Sequence, residues 1–280
     1  MKKMPASALV IADIEGTVGI YDKRQCKQNS RQWEDTRKIV TEDINAVIKG
    51  ISQAGVENIT IKDMHNTGYN ILPQKLEKKV VCMQGHYWRP VPMFGKIPVA
   101  DLAIMTGWHS APDQPDGFSP HIFHKRIRQV KINDTPVTEV ELFAALLGEY
   151  NIPVAFVTAD KVGLDRIKAN LPWVSALEIP KHKLTQKEEL VIRKKITSEI
   201  YLAIKNFQEF SSYKLGNHIV EVVLDDSVIR WNEESAVETL RKVMAIAVLK
   251  ETPEVLHSSV MALFRFHSMI RELSFTIWNR

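Results

Sequence analysis

The run Ala8-Leu9-Val10-Ile11-Ala12 is continuously apolar and is broken by Asp13, the pattern of a strand buried on both faces. From Trp33 to Ala54 the pattern changes period. Val40, Ile44, Val47, Ile48 and Ile51 recur at helical spacing, and Gly55 follows as the residue that ends the helix. Further strands are predicted over Val56–Ile61, at Val80-Val81, and over Val99–Met105, Arg128–Ile132 and Val154–Thr158, with an amphipathic helix over Val140–Leu147. After about residue 180 the texture shifts to a long charged helix, Thr185–Phe210, opened by the capping pair Thr185 and Glu188. A strand over Ile219–Leu224 and helices over Glu233–Lys250 and Pro253–Leu273 complete the chain. Strand–helix–strand alternation predicts an α/β fold, a largely parallel sheet flanked by helices, with a smaller C-terminal α+β portion. The boundary is drawn between a catalytic α/β domain over 1–208 and strand-plus-helices over 209–280.

Composition narrows the class. With 280 residues, 45% hydrophobic and 25% charged, the chain is neither disordered nor a fibrous repeat and can bury a sizeable core. The net charge of +4 comes from basic residues interleaved with acids, so a solvated surface is expected and not a nucleic-acid footprint. Cys26 and Cys82 form no CxxC pair, and Cys82 in Val80-Val81-Cys82-Met83 reads as a small buried hydrophobe. The apolar run after Met1-Lys2-Lys3 is too short for a secretory segment, and Val243–Leu249 is far below the ~20 residues of a membrane span. A cytoplasmic protein without membrane contact is expected.

The polar residues that end the apolar runs carry the chemistry. One run stops at Asp13-Ile14-Glu15-Gly16, the next at Lys62-Asp63-Met64-His65-Asn66, a third at Gly107-Trp108-His109-Ser110. In a parallel sheet these ends share one edge, where ligands bind. Asp13, Glu15, Asp63, His65 and His109 can therefore converge, as a ligand set suited to Zn²⁺, Mn²⁺ or a similar ion. Taken singly, each is more often a turn-forming or capping Asp or a structural His than a ligand, and it is their recurrence at three strand ends that points to a metal. Ala111–Pro120, with three prolines, is the one extended irregular segment, and loops of that length inside a domain are often functional.

At these positions the sequence resembles the DppA-type D-aminopeptidases, a family of zinc metallopeptidases. Asp13-Ile14-Glu15-Gly16 is similar to that family's opening Asp-x-Glu-Gly, and Asp63-Met64-His65-Asn66 with Asn70 to its Asp-x-His-Gly and later Asn. Thr106-Gly107-Trp108-His109 resembles its Gly-Tyr-His, and Ser119-Pro120-His121 its Ser-His-Thr. Ile132-Asn133-Asp134 through Thr138-Glu139 resembles its Ile-Asn-Gly followed by Gly-Glu. The motifs fall in order over residues 8 to 160.

The resemblance implies two zinc ions per subunit, held by Asp13, Glu15, His65, His109 and Glu139, with Asp13 serving both ions and His121 acting as the catalytic proton carrier. Asp63 and Asn70 would orient a ligand or receive the substrate, and for Asp63 a turn-forming role is the alternative. It also implies cleavage of an N-terminal D-residue from a short peptide, and a ring-shaped, decamer-like homo-oligomer. Where the family has Ser and Thr around its histidine this chain has Pro120 and Ile122, which leaves His124 a rival to His121. Thr138 in place of Gly leaves Glu141 a rival to Glu139. His86 beside Tyr87-Trp88 is read as structural or as a subunit contact, with a place lining the cleft as the alternative, and His182, His218, His257 and His267 as surface or core residues. Two other readings stand beside the aminopeptidase: an amidohydrolase acting on an acylated or γ-linked D-amino-acid amide, and a metal-stabilised assembly protein without turnover.

Overall fold

The computed structural model describes residues 4–28, 30–206, 210–249 and 253–278. Six parallel strands form the main sheet: β1 (Ser7–Ala12), β2 (Asn58–Asp63), β3 (Val81–Met83), β4 (Leu102–Trp108), β7 (Val154–Ala159) and β8 (Ser175–Glu178). Their spatial order is β3-β2-β1-β4-β7-β8. The chain runs outward from β1 through β2 to β3, then returns to lay β4 on the other side of β1. That reversal opens a crevice beyond the carboxyl ends of β1 and β4, the place where open α/β sheets bind ligands.

Alternation along β1 divides the core in two. Ala8, Val10 and Ala12 join the cluster packed under α1 (Arg31–Gln53) and α4 (Gln186–Lys205), while Leu9 and Ile11 belong to the opposite one. The opposite cluster holds α2 (Glu139–Glu149), α3 (Lys161–Asn170) and α5 (Ala236–Val248). It also takes in an antiparallel sheet of order β10-β9-β5-β6, from β5 (Ile127–Ile132), β6 (Thr135–Pro136), β9 (His218–Leu224) and β10 (Val228–Glu233). The last helix, α6 (His257–Trp278), contributes Met261 to it. Each fully buried Val, Leu or Ile is worth ~1.5–3 kcal/mol, so strand ends rising from this double core have a stiff foundation.

Several expectations shift. The strand predicted over Val99–Met105 runs from Leu102 to Trp108, carrying its end three residues nearer His109. Arg128–Ile132 belongs to the antiparallel sheet, where β5 pairs with β9; that pairing joins segments on both sides of the predicted 208/209 boundary, which itself lies outside the described residues. Helix α2 is buried on nearly every side and so is not amphipathic, because it packs against α5 and α3 and sets Phe143 against Trp108 at the end of β4. The long charged helix ends at Lys205, with its Thr185–Glu188 capping box formed as predicted. Glu233 ends a strand, and the following helix starts only after Ser235 caps it. Cys82, on the short strand β3, is half-buried, unlike Cys26. Elements α3, β8 and β10 had no clear periodic signal; the β10 run Val-Ile-Arg-Trp-Asn-Glu is mostly exposed. Among the described residues, no helix is long and apolar enough to cross a membrane.

Candidate metal centre

Register fixes the site. Ala12 of β1 is level with Asp63 of β2 and with Thr106 of β4, so the residues just beyond them meet at one height. Backbone bonds lock the ends together: Asp13 N–H donates to Thr106 O at 2.9 Å, Gly16 N–H to Gly107 O at 2.7 Å, and Met64 N–H to Ala12 O at 2.8 Å. Gly107 has φ +79°, and a Cβ there would lie 2.0 Å from the Asp13 carbonyl oxygen. Only a glycine lets β4 approach this closely while turning toward His109.

Two groups of three converge over these ends, Asp13 with Glu15 and His65, and His109 with His121 and Glu139; in each, the candidate ligand atoms lie within 4.8 Å of one another. Asp13 joins the two. Its Oδ1 is 3.2 Å from His65 Nδ1 and its Oδ2 is 3.3 Å from His109 Nε2. His65 Nδ1 also lies 3.0 Å from Glu15 Oε2, and His109 Nε2 3.7 Å from Glu139 Oε1.

Each imidazole is anchored by its far nitrogen on a backbone carbonyl: His65 Nε2 on Cys26 at 3.2 Å, His109 Nδ1 on Ser110 at 2.9 Å, His121 Nδ1 on Ser119 at 2.8 Å. A carbonyl only accepts, so the far nitrogen carries hydrogen and the near one presents its lone pair when the ring is neutral. That second anchor is the usual support of a metal-bound histidine.

Electrostatics agree with a cation site. Burial drives Asp13 upward, but hydrogen bonds and charge from His109 and His65 outweigh it and hold its carboxyl well below the ordinary value. Burial pulls both imidazoles down, yet the carboxylates of Glu15 and Asp13 raise His65 well above its ordinary value. Asp13 and Glu139 likewise raise His109 to about 10. Glu139 is pushed up to about 7 by burial, helped by the charge of Asp13 and opposed by His109. Without metal, the cluster thus keeps protons on its histidines to balance its buried acids. Buried charges need partners, and divalent ions supply the same balance while releasing those protons. Glu15 Oε2 and His109 Nε2 are both buried, and each faces only the charged neighbours of the cluster. Carboxylate and imidazole donors fit zinc. His121 differs: burial and the neighbouring His109 pull it down to about 4, leaving it neutral. Its ring stacks on His109, centroids 4.0 Å apart.

The remaining candidates divide. Asp63 is buried and accepts from the backbone N–H groups of Asn70 (2.5 Å) and Ile71 (3.0 Å) and from the Asn70 carboxamide (2.9 Å). Asn70 in turn donates to the His65 carbonyl at 2.7 Å. Both brace the loop that carries His65, and neither lines the cavity over the cluster. Asn66 takes the left-handed conformation, φ +49°, where the resembling family has glycine. Thr138 caps α2, and Glu141 turns back to bind the Thr138 backbone N–H and hydroxyl and the Asn170 carboxamide. Its neighbour Glu139 faces the cluster, accepting from Phe123 N–H at 2.7 Å. His124 lines the same cavity but belongs to neither group. His86 is held by Lys62 on one nitrogen and the Asn66 carbonyl on the other. His218 and His257 are buried, and His182 and His267 exposed.

Two supporting residues escaped the sequence reading. Asp160 caps α3 and accepts from the Ser110 hydroxyl at 2.6 Å and Phe118 N–H at 3.3 Å, tying down the base of the Ala111–Pro120 loop. It ends an apolar run, the same signal that marked Asp13. Lys181 donates to the carbonyls of Glu15, Thr17 and Ile20 and so holds the turn that presents Glu15. No local pattern marks it.

The architecture and the cluster together define an α/β protein with a candidate metal site at a sheet edge. The chain belongs to the D-aminopeptidase family (Peptidase_M55), whose family model matches residues 7–259. A D-aminopeptidase of Bacillus subtilis (strain 168) is 27% identical over 168 residues, 60% of this chain and 61% of that protein. The match thus spans less than two thirds of that relative. The solved structure of the Zn-dependent D-aminopeptidase DppA from Bacillus subtilis, a self-compartmentalizing protease, superposes with a TM-score of 0.78 at 19% identity, covering 88% of this chain and 99% of that one. At that identity the likeness is one of fold.

Proposed function

We propose that the protein is a metal-dependent aminopeptidase that removes the N-terminal residue, a D-amino acid, from short peptides, using two zinc ions per subunit. The observation that carries the reading is Asp13, whose two carboxylate oxygens face His65 and His109. Asp13, Glu15 and His65 would hold one ion, and Asp13, His109 and Glu139 the other. When bound, such ions acidify a water molecule and polarise the scissile carbonyl. His121 keeps its Nδ1 hydrogen on Ser119, so its neutral Nε2 is free to take a proton from the attacking water and return it to the leaving amine. The D-residue is supported by family membership and by the names of the relatives. A homo-oligomeric ring belongs to the same reading. It is supported by the self-compartmentalizing neighbour and by the exposed apolar residues Leu263, Phe266, Met269 and Ile270 of α6.

Elemental analysis of protein from zinc-replete growth, combined with a hydrolysis screen, tests the proposal. About two ions per chain are expected, one for each group, with cleavage of D-aminoacyl peptides that a chelator abolishes. Asp13→Ala should lose more metal than Glu15→Ala or Glu139→Ala. Equal retention in all three refutes the shared carboxylate, and a preference for L-aminoacyl peptides or N-blocked amides refutes the substrate.

A further inference from the structure

The cavity over the cluster has a volume of about 400 Å³, near the lower end of the ~300–1,000 Å³ of small-ligand sites. The two C-terminal helices complete its wall, with Met244 and Val248 from α5 and Met261 and Arg265 from α6. Among the lining residues Arg265 alone carries a permanent positive charge. Its guanidinium carbon lies 4.0 Å from the centre of the Tyr87 ring, which covers one face of the group. Its Nε is buried with no hydrogen-bond partner, and no described carboxylate pairs with it. The nearby cation, Lys62, is already engaged by the Gly85 carbonyl and His86 Nδ1. Buried donors without acceptors are costly. A planar fork of donors at an apolar wall matches a carboxylate.

Resting on the aminopeptidase reading, we propose that Arg265 receives the C-terminal carboxylate of the peptide. The substrates are then very short peptides with a free carboxyl terminus, and Arg265 sets that specificity. In a cavity this small, the carboxylate must lie within one or two residues of the scissile bond. Arg265 lies beyond residue 259, where the family match ends, so the match assigns nothing to it.

The test compares zinc-loaded wild type, Arg265→Gln and Arg265→Lys on D-alanylglycine and D-alanylglycinamide. Calorimetric binding of the uncleavable reduced-bond analogues of both is measured alongside. Wild type is expected to favour the acid about 10- to 100-fold, the range of a charged hydrogen-bonded pair. Arg265→Gln is expected to draw acid and amide together, and Arg265→Lys to keep part of the gap. Equal handling of acid and amide by wild type overturns the proposal, as does an equal loss on both in Arg265→Gln. Thermal melts establish that the variants are folded; if the Gln variant is not, the Lys variant decides. If neither peptide is cleaved, the aminopeptidase reading fails. The carboxylate site then stands or falls on the binding arm, where equal affinity for the two analogues overturns it.

Discussion

Replacing Gly107 with alanine tests whether the close approach of β4 to β1 sets the metal site. The added Cβ would stand 2.0 Å from the Asp13 carbonyl oxygen and 2.8 Å from its carbonyl carbon. Both are backbone atoms, so no side chain can swing away, and the contact must open by more than an ångström to reach ordinary van der Waals distance. Two costs add. An L-residue at φ +79° loses roughly 1–2 kcal/mol, and overpacking against backbone a further ~1–3 kcal/mol. The metal-free variant is therefore expected to lose about 2–5 kcal/mol in urea unfolding. The motion moves Asp13, which faces both ligand groups, whereas metal sites tolerate ligand errors of only ~0.2 Å. Zinc affinity, measured by competition with a chromophoric chelator, should fall at least ~10- to 100-fold, as when a metal ligand loses its support. Gly55→Ala is the control. Gly55 sits at φ +93° just past α1 with nothing within 4 Å of a new Cβ, so it should show the backbone strain and none of the metal loss. Should Gly107→Ala behave like Gly55→Ala in both assays, the packed backbone does not position Asp13 and the reasoning is refuted.

Removing His121 separates proton transfer from metal holding. His121→Ala is expected to keep its metal while kcat falls ~10²–10⁴-fold, whereas His109→Ala should lose metal and turnover together. Metal loss in His121→Ala would make it a ligand of the His109 group, and normal turnover there with a defect in His124→Ala would move the role to His124. Stability should also depend on pH through Asp43, buried between the Val18 N–H at 2.9 Å and Arg193 Nε at 2.7 Å. Burial raises its carboxyl to about 6, against an ordinary 3.8. The folded state then holds more protons than the unfolded between those values. Stability from this group therefore rises as pH falls through 6 and levels off below about 4, by at most ~3 kcal/mol. Asp43→Asn cannot titrate, so the stability of wild type relative to it should climb between pH 6.5 and 4.5; a constant difference would refute the assignment.

Much of the frame was legible locally. A strand buried on both faces needs an unbroken apolar run, so Ala8–Ala12 declared itself, and the polar residue ending each run marked a place at the sheet edge. The 3.6-residue period of α1 and the Thr185–Glu188 capping box are likewise local signals, carried by backbone geometry that neighbouring residues set. The residue types of the site were also readable, because few side chains other than Asp, Glu and His suit a hard or borderline cation at a strand end. Where the signal was weak, as in the exposed β10 or the short β8, backbone pairing with β9 or β7 formed the strand and the sequence pattern did not announce it.

What the sequence could not decide was which of two near-identical neighbours faces the centre. Glu139 and Glu141 are two residues apart on one helix. Thr138 decides between them, because as the cap of α2 it draws Glu141 back on itself and leaves Glu139 pointing at His109. His121 and His124 are separated by the stacking of one ring on His109, a contact that exists only once the loop closes over β4. Lys181 reaches the Glu15 turn from 166 residues away, and Arg265 reaches the cavity from the C-terminal helix, where no local pattern marks it. By itself, then, the sequence determined the central strands, the main helices and the ligand chemistry, because these follow from the burial period and donor type of adjacent residues. The tertiary structure decided which donors converge, which protons they keep and what closes the cavity, because those depend on distances between segments far apart in the chain.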